Sequence, residues 1–130
     1  MILIDSNIWI FANIEEYPEN SSARKLIINA TKEQIAINAI ILSEVFHKLS
    51  VLTNVEKAIK AIENIIDSDY VVYLPIEEST ISKALYLTKK QLRINDAIIA
   101  QHAKDIRCKL LSDNAKDFNK IDGIKLLKFR

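Results

Sequence analysis

The sequence predicts a single α/β domain over residues 1–130, built on a central parallel sheet of about five strands with helices on both faces. Three observations predict it. Strand-like and helix-like segments alternate along the chain, and no two strands are joined by a hairpin signal. The first segment, Met1-Ile2-Leu3-Ile4, is a charge-free apolar run of the kind buried on both sides in a parallel sheet. Right-handed crossovers place helices on both faces of such a sheet, and its ligand sites gather in the crevice outside the carboxyl ends of the strands.

The opening strand delivers Asp5 to its own tip, and Ser6 or Asn7 can cap a short helix carrying Ile8, Trp9, Ile10 and Phe11. Trp9 and Phe11 read as packing residues. Beyond the acidic turn Glu15-Glu16-Tyr17-Pro18, Asn20 or Ser21 can cap a helix reaching about Thr31, with Ala23, Leu26, Ile27 and Ala30 on one face. A second strand runs from about Gln34 to Asn38. The next helix spans Ile40 to about Leu52, with Glu44 set among apolar residues. Thr53 or Asn54 caps another, in which Val55, Ala58, Ile59, Ile62, Ile65 and Ile66 recur at helical spacing. A third strand, Val71 to Leu74, is closed by Pro75. Glu77 to Leu92 reads as a helix with acids in its first turn and Lys89-Lys90 in its last. Asn95 or Asp96 starts a helix containing Ala97, Ile98, Ile99, Ala100 and Ala103. Cys108 to Leu111 is the fourth strand, Ser112 to Asn119 a polar turn, and the last strand lies near Ile124 to Leu127.

Composition removes several chemistries. The lone glycine, Gly123, excludes both the Walker loop and the dinucleotide fingerprint, which need glycines where backbone approaches phosphate. His47, His102 and Cys108 lack the paired spacing of a zinc site. A single cysteine forms no internal disulfide and suits a reducing compartment, and Cys108 reads as a buried small hydrophobe. No apolar run approaches the roughly 20 residues of a membrane helix, so the chain is expected to be soluble, unprocessed and cytoplasmic, with no membrane partner. Charge is unevenly spread. Residues 1–88 carry 7 Lys/Arg against 12 Asp/Glu, a net −5, and residues 89–130 carry 11 against 5, a net +6. A basic third of this kind reads either as a polyanion-binding surface or as a solvated face of mixed charge.

Acids recur near strand ends: Asp5 after the first strand, Glu44 in the helix after the second, Asp96 at a helix start before the fourth, and Asp113 or Asp117 after the fourth. Each has an ordinary structural reading, as a helix cap for Asp5 and Asp96, an ion pair with Lys48 for Glu44, and loop polarity for Asp113 and Asp117. Jointly they converge on one sheet edge. Carboxylates gathered within a few ångströms repel one another unless some take up protons or a cation sits between them. Mg²⁺ and Mn²⁺ favour such oxygen ligands and commonly share them with substrate phosphates, which points to phosphodiester hydrolysis.

The segments Leu3-Ile4-Asp5-Ser6-Asn7, Leu42-Ser43-Glu44-Val45, Asn95-Asp96-Ala97-Ile98-Ile99-Ala100 and Leu111-Ser112-Asp113-Asn114-Ala115-Lys116-Asp117-Phe118 occur in an order that resembles the PIN-domain ribonucleases, and most closely the small VapC-type toxins of prokaryotic toxin-antitoxin pairs. The resemblance covers nearly the whole chain. It implies a metal-dependent endoribonuclease that cleaves single-stranded or looped RNA by two-metal-type hydrolysis, leaving a 5'-phosphate and a 3'-hydroxyl. Asp5, Glu44 and Asp96 are implied as ligands of Mg²⁺ or Mn²⁺, with Asp117 as a fourth catalytic acid that orients a water or second ion. Ser112 takes the place of the hydroxyl that follows the fourth strand, where threonine is commoner. The position two residues after that hydroxyl, usually acidic, holds Asn114 here, so the fourth acid falls to Asp117 in preference to Asp113. A cognate antitoxin that inserts side chains near the acids and a homodimeric state are implied in the same way. Lys89, Lys90 and Arg93, just before Asp96, fit the contact with RNA phosphates. His47, one turn from Glu44, reads as a surface or partly packed residue, and no histidine is given a catalytic role.

Two other readings compete. One is a non-catalytic RNA- or protein-binding module on the same fold, holding its partner through the basic third. The other is a phospho-receiver domain, also doubly wound and acidic at its pocket. Against that one, the first strand ends in one carboxylate and not an adjacent pair.

Overall fold

Five strands, β1 (Ile2–Ile4), β2 (Ile35–Ile37), β3 (Val71–Tyr73), β4 (Lys109–Ser112) and β5 (Lys125–Lys128), form one sheet in the order β3-β2-β1-β4-β5 in the computed structural model, which describes residues 1–130. Every neighbouring pair is parallel. The connections are helical: α1 (Ser6–Asn13), α2 (Asn20–Ala30), α3 (Ala39–Leu52), α4 (Val55–Asp67), α5 (Glu78–Leu87), α6 (Ile94–Asp105) and the four-residue α7 (Ala115–Phe118). This is the α/β architecture that the alternating pattern predicts.

The central strands have no polar face. Leu3, Ile4, Ile35, Ala36, Ile37 and Leu110 are all buried, as strands covered on both sides must be. The edges differ. Tyr73 of β3 is 52% exposed, and β5 presents Lys125 and Lys128 to solvent, charges that discourage further strand pairing at that edge.

From β1 the chain steps through β2 to β3 in one direction, and then crosses back to β4 and β5 on the other side. Right-handed crossovers therefore assign α1 to α4 to one face and α5 to α7 to the other. In keeping with this, α1 packs on α2 and α3, α3 on α4, and α5 on α6. Connections leave β1 and β4 in opposite directions, so the crevice between their carboxyl ends is the topological switch point of the sheet.

Several local boundaries depart from the sequence reading. Asp5, not Ser6 or Asn7, caps α1, since the chain leaves β1 extended and turns at once into the helix. Glu19 occupies the cap position of α2 without a side-chain bond, while Asn20 donates instead to the Phe11 and Ala12 carbonyls. Asn38 ends the β2 segment by capping α3, and of the pair Thr53 and Asn54 it is Asn54 that caps α4. Only part of the apolar spacing of α4 is used internally: Ala58, Ala61 and Ile65 are buried, whereas Val55, Ile59 and Ile66 are exposed. The helix expected to reach Leu92 stops at Leu87. A 3₁₀ turn over Thr88–Lys90 follows, and Gln91 reverses the chain at φ 63°. Gln34 and Arg107 take similar left-handed conformations before β2 and β4, a strain of about 1 kcal/mol each for residues with a Cβ. The helix α6 begins at Ile94 behind Arg93, so Asp96 lies in its first turn and is not its cap. The polar turn after β4 holds α7, pinned by the fully buried Phe118.

Candidate functional site

Asp5 stands at the switch point. Its backbone N–H donates to the Leu111 carbonyl at 2.9 Å, which ties the end of β1 to β4. Its Oδ1 accepts from the Ser6 N–H at 2.8 Å, and its Oδ2 from the Ser112 hydroxyl, also at 2.8 Å. Ser112 Oγ in turn accepts from the Asn114 N–H at 2.9 Å. Burial of this carboxyl raises its pKa to about 6, against the pull of the two hydrogen bonds, and the charges of Asp96 and Glu44 push the same way as burial. A carboxylate placed here is short of positive charge.

Glu44 reaches the same space from α3. The cap that Asn38 makes to the Ile41 N–H fixes the start of that helix at the end of β2, and Glu44 follows six residues on. Its Oε1 accepts from Ser6 Oγ at 3.1 Å, and its Oε2 from Arg93 Nη2 at 3.2 Å and Asn95 Nδ2 at 3.3 Å. The expected pair with Lys48 does not form, because Glu44 is turned inward to these partners. Asp96 projects from the first turn of α6, where the helix dipole favours an anion. Burial raises its pKa, offset in part by Arg93, whose Nε lies 3.5 Å from Asp96 Oδ2.

Asp117 enters from α7. It accepts from Asn114 Nδ2 at 3.1 Å and pairs with Lys120 at 3.3 Å, and the Asn114 bond, followed by Lys120, holds its carboxyl below the usual range. Asp5, Glu44, Asp96 and Asp117 thus line one cleft of about 450 Å³ with no hydrophobic residue in its wall. Asp113 does not line it. That side chain is turned away and held by Arg130 through bonds of 3.0 and 3.1 Å. His47 and Lys48, both exposed, complete one rim.

The four acids suit a hard divalent cation: carboxylate oxygens, with amide and hydroxyl oxygens beside them, surround a buried carboxyl that lacks a counter-charge, and the one imidazole, His47, stands on the rim. Asp5, Glu44, Asp96 and Asp117 are the side chains that would hold it. They are not drawn into a closed ligand cage, since no three His, Cys, Asp or Glu side chains approach closely enough to hold an ion, and Arg93 lies between two of them.

Three polar residues of the site have partners that the sequence pattern does not show. Ser6 reads locally as a cap and Arg93 as an RNA contact, yet both bond to Glu44 across the fold. Asn95 donates to the same carboxylate. The available signal is Arg93 and Asn95, on either side of Ile94, directly before Asp96 and the apolar run Ala97-Ile98-Ile99-Ala100.

A buried polar pair, Asn38 and His102, joins the start of α3 to α6. Asn38 Oδ1 is committed to the Ile41 N–H, so its Nδ2 donates to His102 Nδ1 at 2.9 Å. His102 must then be neutral with its proton on Nε2, which is buried near the Pro75 carbonyl without a full hydrogen bond. Burial lowers the pKa of this imidazole. Cys108 is buried as expected, which raises its thiol pKa. No helix is long and apolar enough to cross a membrane.

The PIN domain family model matches residues 2–124. No curated protein matches the sequence. Among solved structures, the chain is similar to VapC20 of Mycobacterium tuberculosis, a sarcin-ricin-loop-cleaving toxin, with a TM-score of 0.81 and 13% identity over 96% of this chain and 98% of that one. It is also similar to VapBC2 of Rickettsia felis bound to a promoter DNA fragment, with a TM-score of 0.77 and 21% identity over 98% of each chain. For VapBC-1 of nontypeable Haemophilus influenzae the TM-score is 0.73, with 23% identity over 99% of this chain and 98% of that one. At these identities the likeness is one of fold.

Proposed function

The chain belongs to the PIN domain family, and from that premise we propose that it is a metal-dependent endoribonuclease, the toxin of a VapBC-type toxin-antitoxin pair. The observation that carries the reading is the meeting of Asp5, Glu44, Asp96 and Asp117, from four different elements, in one wholly polar cleft at the β1/β4 switch point.

In this reading Asp5, Asp96 and Glu44 hold Mg²⁺ or Mn²⁺. When bound, such a cation acidifies water and neutralises charge on a phosphodiester. The residues of the chain do the rest. Asp5, fixed by Ser6 and Ser112, contributes a carboxylate that cannot swing away. Glu44, held by Ser6 and Asn95, sets the distance between α3 and α6. Asp117, kept ionised by Asn114, accepts a proton from, or orients, the attacking water or supports a second ion. Attack in line on phosphorus leaves a 5'-phosphate and a 3'-hydroxyl. Lys89, Lys90 and Arg93 supply cations for the flanking phosphates.

An RNA substrate is supported by the loop-cleaving activity of the structurally similar VapC20, and an antitoxin partner by the VapBC complexes of similar fold. A toxin-antitoxin role of this kind supports a cytoplasmic location. Exposed apolar residues support association with protein: Ile81, Leu85 and Tyr86 on α5, and Ile28 on α2, are between 41% and 69% exposed. A homodimer and an antitoxin would each cover such surface.

The test is cleavage of a mixed RNA pool by the antitoxin-free wild type and by Asp96→Asn, each with Mg²⁺, Mn²⁺ or EDTA. Metal-dependent cleavage that is lost in the variant is the expected result. A folded wild type that binds RNA but never cuts it would replace this reading with that of a binding module.

A further inference from the structure

Arg93 is the one cation that touches two acids of the cleft. Its Nη2 lies 3.2 Å from Glu44 Oε2 and its Nε 3.5 Å from Asp96 Oδ2. Lys120, the other basic residue paired there, reaches Asp117 alone. The place is an odd one for an arginine. Arg93 occupies the cap position of α6, where the helix dipole repels a cation, and it makes no capping hydrogen bond. Its attraction to the two carboxylates accounts for its position. They are 15% and 10% exposed, whereas the arginine side chain is 70% exposed and free to leave toward solvent.

We propose that Arg93 is an exchangeable counter-ion of the site: its guanidinium balances Glu44 and Asp96 until a divalent cation binds, so it competes with the metal and sets its affinity. This rests on the reading above, in which those acids hold such a cation. Two positive groups cannot share the space between the same pair of carboxylates without repulsion, and a guanidinium forked across both is what keeps them from closing on an ion. Once displaced, the same fork stays on the rim of the cleft, where its geometry matches a phosphodiester.

Mn²⁺ titration followed by electron paramagnetic resonance of the free ion, at about 0.15 M salt and without RNA, tests this independently of cleavage. Arg93→Gln is expected to bind Mn²⁺ about three- to tenfold more tightly than wild type, the scale of two partly exposed ion pairs. Lys89→Gln removes a nearby charge that sits over the Tyr86 ring and touches no acid, and it is expected to change the affinity by less than about twofold. Unchanged or weaker binding in Arg93→Gln would overturn the competition, as would an equal tightening in Lys89→Gln. If neither wild type nor Arg93→Gln binds Mn²⁺, the metal reading itself fails and the competition with it.

Discussion

Ser112 Oγ, at the end of β4, donates a 2.8 Å hydrogen bond to Asp5 Oδ2 at the end of β1, across 107 positions of sequence. The bond is buried, and it lowers the pKa of a carboxyl that burial pushes up to about 6. Ser112→Ala removes it. The Asp5 pKa should then rise further, readable as a shift in its carboxyl ¹³C titration, and stability at pH 7 should fall by about 1–2 kcal/mol in chemical denaturation. Ser112→Thr keeps the hydroxyl and should restore both.

Asp5→Asn separates stability from function. With a folded pKa near 6 against an ordinary value of 3.8, the folded state binds the proton more tightly, so the favourable contribution of Asp5 is complete below 3.8 and lost as pH rises through about 6. At pH 7.5 without divalent cations the ionised wild-type carboxyl is therefore a burden of about 3 kcal/mol. Asparagine, itself a good cap, removes it. Asp5→Asn should be more stable than wild type under those conditions, inactive on RNA, and no longer stabilised by Mn²⁺.

The fourth acid is decided by a paired comparison. Asp117 lines the cleft, whereas Asp113 is engaged by Arg130. Asp117→Asn should lower cleavage by about a hundredfold, the usual loss on removing a proton-transfer group. Asp113→Asn should leave the rate within about twofold, since an exposed pair contributes little. Equal losses in the two variants would move the assignment away from Asp117.

His102 makes stability depend on acid in the opposite sense to Asp5. Burial keeps it neutral and lowers its pKa, so the stability it contributes is whole above about 6.5 and is lost as pH falls from there through the folded value. Protonation would also set two donors against each other at Asn38. His102→Gln should flatten the acid limb of the stability profile relative to wild type, measured by urea denaturation between pH 4 and 7. An unchanged limb would mean that the imidazole is not the group that titrates there.

The β-α alternation, the buried central strands and three of the acids that line the cleft, Asp5, Glu44 and Asp96, were legible in the sequence, because each depends on local pattern: apolar runs, helical spacing, and a polar residue at an element boundary. Asp5 at the end of an uncharged strand and Asp96 within an apolar helix stand out without any knowledge of neighbours. Tertiary structure alone decided what those acids touch. Whether Asp5 caps α1, whether Glu44 turns to Lys48 or to Arg93, and whether Asp113 or Asp117 faces the cleft are choices between partners of similar local chemistry, separated by 1 to 51 residues, and each contact is worth about 1 kcal/mol or less. No periodicity encodes such small preferences. They are settled when the β1/β4 switch point brings four chain segments to one edge and burial makes an unpartnered carboxylate costly.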